Sequence, residues 1–264
     1  MNDDRYSVPP PLPSGFAAAS AAAVPGAIPL GDAPDDATPI AGVIGAVEAV
    51  LRQPRRIAYH LRQPGSGGLI AALLAIAVVC ALVYGVVVGT FSGDQQLWIA
   101  PLKISFGLMF AALICLPSLY IFSCLGGSKA RLIEVGGLLA GLLALLTVLL
   151  VGFAPVALVF STSTGNLAAM GALHLTFALI ATGFGLNFLH SGFAHLNGGR
   201  SGTRIWAVIF LLVLLQMTTA LRPIIGTADT LLPGMKEKKF FIGHWVDSLS
   251  ATNTPKTTEG GIRR

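Results

Sequence analysis

Five long stretches without a formal charge lie between Leu69 and Leu221, and they set the class of this chain before any motif is read. Each is close to the roughly 20 apolar residues that a helix needs to cross about 30 Å of hydrocarbon. Only helices and closed barrels satisfy every backbone N–H and C=O in lipid, and stretches of this length are helical. The expected fold is therefore all-α: a polytopic transmembrane helix bundle of about five spans, with flanking amphipathic helices and disordered termini. Composition agrees. Hydrophobic residues make up 54% of the chain and charged residues 11%, and the mean hydropathy is +0.75; a water-soluble domain carries about a quarter charged residues. The 264 residues accommodate one such bundle with tails.

The spans read as Leu69 to Gly89, Ile104 to Leu125, Val135 to Phe160, Leu167 to Leu189 and Ile205 to Leu221, inside a membrane domain of residues 69–223. The third is long and contains Gly152 and Pro155, which favour a tilt or kink. Pro117 with Ser118 and Ser123 predicts a local kink in the second, with freed carbonyls met by neighbours. Cys80, Cys115 and Cys124 all fall within spans and imply no disulfide framework.

Residues 1–37 are rich in Pro, Ala, Gly and Asp and are expected to be disordered, since so few large apolar side chains cannot offset the entropy of ordering. The run Phe16 to Val24 follows Asp3 and Asp4 where a signal peptide would carry cations, so the N-terminus is expected to remain in the mature chain. Residues 38–68 form a basic juxtamembrane unit. Thr38 is placed as an N-cap with Pro39 at the first helical position. Ile40, Val43, Ile44, Val47, Val50 and Leu51 then recur at helical spacing. Pro54 ends that helix, and Arg55 to Gln63 forms a second one. Arg52, Arg55, Arg56 and Arg62 are candidate contacts for anionic headgroups, either from helices lying in the headgroup plane or as an anchor that orients the first span.

Orientation follows from the cations. The four arginines precede the first span, Lys129 and Arg131 fall between the second and third, and Arg200 and Arg204 fall between the fourth and fifth. An odd number of crossings gathers all of these on one side, which the positive-inside rule makes cytoplasmic, with the N-terminus there and the C-terminus outside. In residues 224–264, Lys236, Lys238 and Lys239 beside Phe240, Phe241, Ile242 and Trp245 predict an interfacial segment that also contacts headgroups, followed by a flexible tail. The net charge of +5 sits mostly at these flanks and points to lipid, not nucleic acid.

Polar side chains within the apolar spans are the residues most in need of an explanation, because hydrocarbon offers them no partner. They are His174, Thr182 and Asn187 in the fourth span and Gln216 in the fifth. A proton relay or metal site at His174 is weighed against an imidazole satisfied by a hydroxyl or amide across a helix contact, with Gln216 and Thr218 as possible partners; the structural reading is preferred. His190 and His195 are five apart in what reads as a loop, a poor spacing for joint metal ligation. No metal or cofactor is expected, and no catalytic residue is assigned. Gly137 and Gly141 form a GxxxG pair, and Gly171 and Gly185 lie near one face of the fourth span, the pattern that lets helices approach closely in a bundle or an oligomer.

Leu51-Arg52-Gln53-Pro54-Arg55-Arg56, followed by five apolar spans, resembles bacterial members of the Yip family, relatives of eukaryotic Rab-GTPase-interacting membrane proteins. The resemblance covers Val43 to about Leu221, and the aromatic tail after Leu231 departs from it. It implies a non-enzymatic protein of a bacterial cytoplasmic membrane that organises the membrane, scaffolds or recruits protein partners, or self-associates. The alternative is a small transporter or channel with a polar path near His174 and Gln216.

Overall fold

The computed structural model describes residues 30–92, 96–163, 167–196 and 200–220. Within them the chain forms seven helices and no strand: α1 (Gly42–Arg52), α2 (Pro54–Arg62), α3 (Gly67–Ser92), α4 (Gln96–Leu125), α5 (Leu132–Ser163), α6 (Leu167–His195) and α7 (Arg200–Ala220). Residues 30–37, which fall in the segment expected to be disordered, make turns that fold back onto α2. Thr38 does not cap α1. Its hydroxyl donates to the Asp35 carbonyl inside that turn, and Gly42, the first residue of α1, adopts φ 68°. The N-cap position falls to Ala41, which has no side chain to cap with.

Five long helices pack in the order α6, α5, α3, α4, α7, with α5 also reaching α4. The centre of this arrangement is α5, buried without interruption from Gly137 to Thr147, as expected of a helix that is apolar all round. Its neighbours are half-covered. Val79 on α3, Phe106, Phe110 and Leu113 on α4, Phe184 on α6 and Val208 on α7 are all exposed. So much exposed apolar surface on one chain marks a contact with lipid or protein. Four helices are long and apolar enough to cross a membrane: Gly67–Phe91, Leu97–Leu125, Leu132–Ser163 and Ala169–His195. The fifth expected crossing falls on α7, whose apolar part, Gly202–Met217, is shorter than the others, about 24 Å at 1.5 Å per residue.

Two boundaries moved for physical reasons. The second span extends back from Ile104 to Gln96, taking Pro101 and Lys103 into α4. Gly85 of α3 makes room for this, since a Cβ there would fall on the Pro101 backbone; Lys103 is 2% exposed. The fourth span runs on to His195, so His190 and His195 belong to α6 and not to a loop.

The link from α4 to α5 shows how local chemistry sets the register. Gly127 adopts φ 80°, the Ser128 N–H donates to the Ser123 carbonyl at 3.0 Å and the Gly127 N–H to the Cys124 carbonyl at 2.9 Å. This is a Schellman closure, in which a left-handed glycine satisfies the last carbonyls of a helix. Glu134 then caps the start of α5, accepting from the Arg131 N–H at 3.2 Å and from Arg131 Nε at 2.8 Å, a carboxylate where the helix dipole favours one.

Candidate functional site

The end of the bundle that carries α1 and α2 is the most elaborated part of the molecule. Pro54 opens α2 at a position where its missing N–H costs nothing. The helix buries Ile57, Ala58 and Leu61 completely, packing them against α5 and α6. Leu61 occupies the space over Gly137 that any larger residue would fill. The apolar face of α2 therefore meets protein, and this helix does not lie free in a headgroup layer. Arg131 ties the two together from the other side, donating from Nη2 to the Arg62 carbonyl at 3.4 Å.

Two of the four candidate arginines are engaged within the chain. Arg55 Nε donates to both carboxylate oxygens of Asp36, at 2.8 and 2.9 Å, and the Gly31 N–H donates to the same carboxylate at 2.8 Å. Asp36 is 2% exposed. The Arg55 hydrogen bond holds its carboxyl below the usual carboxylate range, against the opposing effect of burial, and Asp36 in turn raises Arg55. Arg56 donates to the carbonyls of Thr38 and Pro39 at 2.9 and 2.8 Å and to Gln53 Oε1 at 2.8 Å. His60 Nε2 donates to the Thr38 carbonyl at 2.8 Å. Together these bonds clamp residues 31–39 onto α2.

Arg52 and Arg62 remain exposed, as do Lys129, Arg131 and Arg204 near the same end. Beside them α1 exposes Val43, Ile44 and Leu51, with Glu48 on the same face. The expected single stripe on α1 is thus divided: Val50 is buried, while Ile44 is 85% exposed. Between α1 and the start of α3 an open groove of about 490 Å³ is lined by Pro39, Ile40, His60, Ser66, Leu69 and Ala72. Lys236, Lys238 and Lys239 lie outside the described residues.

The intramembrane polar candidates do not converge. His174 is buried, and its Nδ1 lies 2.7 Å from Tyr84 Oη on α3 with the rings edge to face; its Nε2 has no hydrogen-bond partner among the described residues. The partner is thus Tyr84, which the sequence reading passed over, and not Gln216. Thr182 is buried, whereas Asn187 and Gln216 are exposed on the outer surfaces of α6 and α7. Among the described residues no hydrogen bond joins His174, Asn187 and Gln216 to one another. No group of three or more His, Cys, Asp or Glu among the described residues is placed to hold a metal.

Helix packing uses some of the expected glycines and several others. Gly141 receives the Phe188 ring and Gly185 the Leu142 side chain and carbonyl, both at the α5–α6 contact. A Cβ added at Gly171, which is half-buried, would meet nothing within 4 Å. Gly85, Gly192 and Gly202 make contacts as close, against Pro101, Leu138 and the Phe122 carbonyl. At the α4–α7 contact the Trp206 indole N–H donates to the Cys115 carbonyl at 3.0 Å, and Ser118 donates to the same carbonyl at 2.8 Å. This carbonyl is not the one that Pro117 frees, which belongs to Leu113, four residues before it. Trp206 is fully buried, and a tryptophan so placed needs a partner for its N–H.

No family model matches the chain, and no match emerges among curated proteins or solved structures.

Proposed function

We propose that this is a non-enzymatic, multi-span membrane protein that organises the bilayer surface and recruits partners there, in the manner implied by the Yip-like arrangement. It crosses the membrane five times with its N-terminus in the cytoplasm. The docked α1–α2 unit is a fixed cationic platform on the cytoplasmic side. Arg52 and Arg62 engage anionic headgroups, Val43, Ile44 and Leu51 dip among them, and Arg55 and Arg56 hold the platform together. The observation that carries this reading is the division of labour among the arginines: two engaged within the chain, two exposed beside exposed aliphatic residues. A cation near an anionic surface contributes about 1 kcal/mol, so each of Arg52 and Arg62 is worth roughly a fivefold change in lipid partitioning.

The test is reconstitution of the full chain in nanodiscs of mixed zwitterionic and anionic phospholipid, with the lipids retained by the protein quantified. Wild type is expected to enrich the anionic lipid, and the double variant Arg52→Ala, Arg62→Ala to lose most of that enrichment. Equal enrichment in both would contradict the platform, and solute flux through the wild-type protein would contradict the non-transport reading.

A further inference from the structure

Asn187 is a polar group that neither lipid nor any described residue of the chain accounts for. It lies on α6 eight residues before His195, about 12 Å from that helix end, and it is exposed with no hydrogen bond to any described residue. Its side chain is too short to snorkel as a lysine or arginine does. Thr176, exposed on the same helix, solves the problem by donating to the Ala172 carbonyl at 2.8 Å; Asn187 does not.

The surroundings of Asn187 are open for a partner. One turn away, Gly183 is exposed, and a Cβ there would meet nothing within 4 Å. Ile180 and Phe184 are exposed on either side of it. A second helix can therefore approach the α6 backbone at Gly183 and still reach the amide.

We propose that this face of α6 docks on the same face of a second copy of the chain, with the two Asn187 carboxamides hydrogen-bonded across a two-fold axis along the membrane normal. The choice of occupant rests on complementarity. A carboxamide presents a partially negative oxygen and a partially positive NH₂, so it is its own electrostatic complement. All copies inserted in one orientation carry Asn187 at one depth, and a two-fold contact is isologous, so each amide meets its equivalent. A different protein would have to supply a donor and an acceptor at that same depth, and lipid tails supply neither.

This rests on α6 crossing the bilayer, and the experiment separates the two claims. The full chain is reconstituted in lipid, its oligomeric state is followed against protein-to-lipid ratio, and an Asn187→Cys variant in a Cys124→Ala background is tested for oxidative cross-linking, since Cys124 is exposed. Wild type is expected to dimerise, Asn187→Cys to cross-link to a second copy, and Asn187→Gln to retain dimerisation. Asn187→Leu and Gly183→Ile should each weaken dimerisation, the former roughly tenfold, the scale of one interhelical amide contact. A membrane-embedded wild type that stays monomeric at every ratio, a dimer untouched by both Asn187→Leu and Gly183→Ile, or cross-links only to a different protein would overturn the inference while leaving the membrane reading intact. A chain that dissolves without detergent would instead overturn the membrane reading itself.

Discussion

Asp36 is the residue on which the juxtamembrane unit turns. Its carboxylate accepts from Arg55 and Gly31, and it is almost fully buried although it sits in a turn outside any helix. Hydrogen bonds to a charged group are worth about 1.5–3 kcal/mol, and Arg55 is partly exposed, which lowers that figure. Asp36→Ala should therefore loosen residues 30–62 by about 1–3 kcal/mol, read as faster amide exchange there with the long helices unchanged. The pH dependence has a definite sign. Because the folded carboxyl titrates below the ordinary aspartate value, its contribution is full above about pH 4 and is lost as pH falls through the depressed folded value. Exchange that stays constant down to acid pH in wild type would contradict this role. Asp36 could not be singled out in the sequence, where Asp32, Asp35 and Asp36 read alike in a segment expected to be disordered; its partner lies 19 residues away.

Among the helices, what was legible and what was not follows from the range of the signal. The long helices were visible because apolar length is a local property, and α2 was visible because Pro54 and its basic face are adjacent in sequence. Which glycines pack was not visible, because that depends on what faces them. Gly137 and Gly141 stand one turn apart and read as one motif, yet one receives Leu61 of α2 and the other Phe188 of α6. Tyr84 and His174 are 90 positions apart, so neither could predict the other. Gly85 and Gly171 make the distinction measurable. A Cβ at Gly85 would strike backbone atoms of Pro101, whereas one at Gly171 would meet nothing. Gly85→Ala is expected to cost about 1–3 kcal/mol by overpacking, and Gly171→Ala to be neutral or slightly stabilising through improved helix propensity. Thermal unfolding in detergent, with equal melting temperatures for the two variants, would refute the close α3–α4 crossing.

For the molecule as a whole, one end is basic and clamped and the flanks are apolar. The α1–α2 unit, the Schellman link after α4, the last turn of α6 and the first turn of α7 gather at one end; the last turns of α3 and α5 and the first turns of α4 and α6 lie at the other. Between the ends, exposed side chains are mostly aliphatic and aromatic, a surface that excludes water. The proposed arrangement is a bilayer-spanning bundle with its basic end in the cytosol. Impermeant thiol labelling in intact cells or oriented vesicles tests this most directly, with single cysteines at Arg62 and Lys129 for the basic end and Ser163 for the opposite end, in a chain lacking Cys80, Cys115 and Cys124. The account predicts that Arg62→Cys and Lys129→Cys react only from the cytosolic side and Ser163→Cys only from the other; labelling of all three from one side would contradict it.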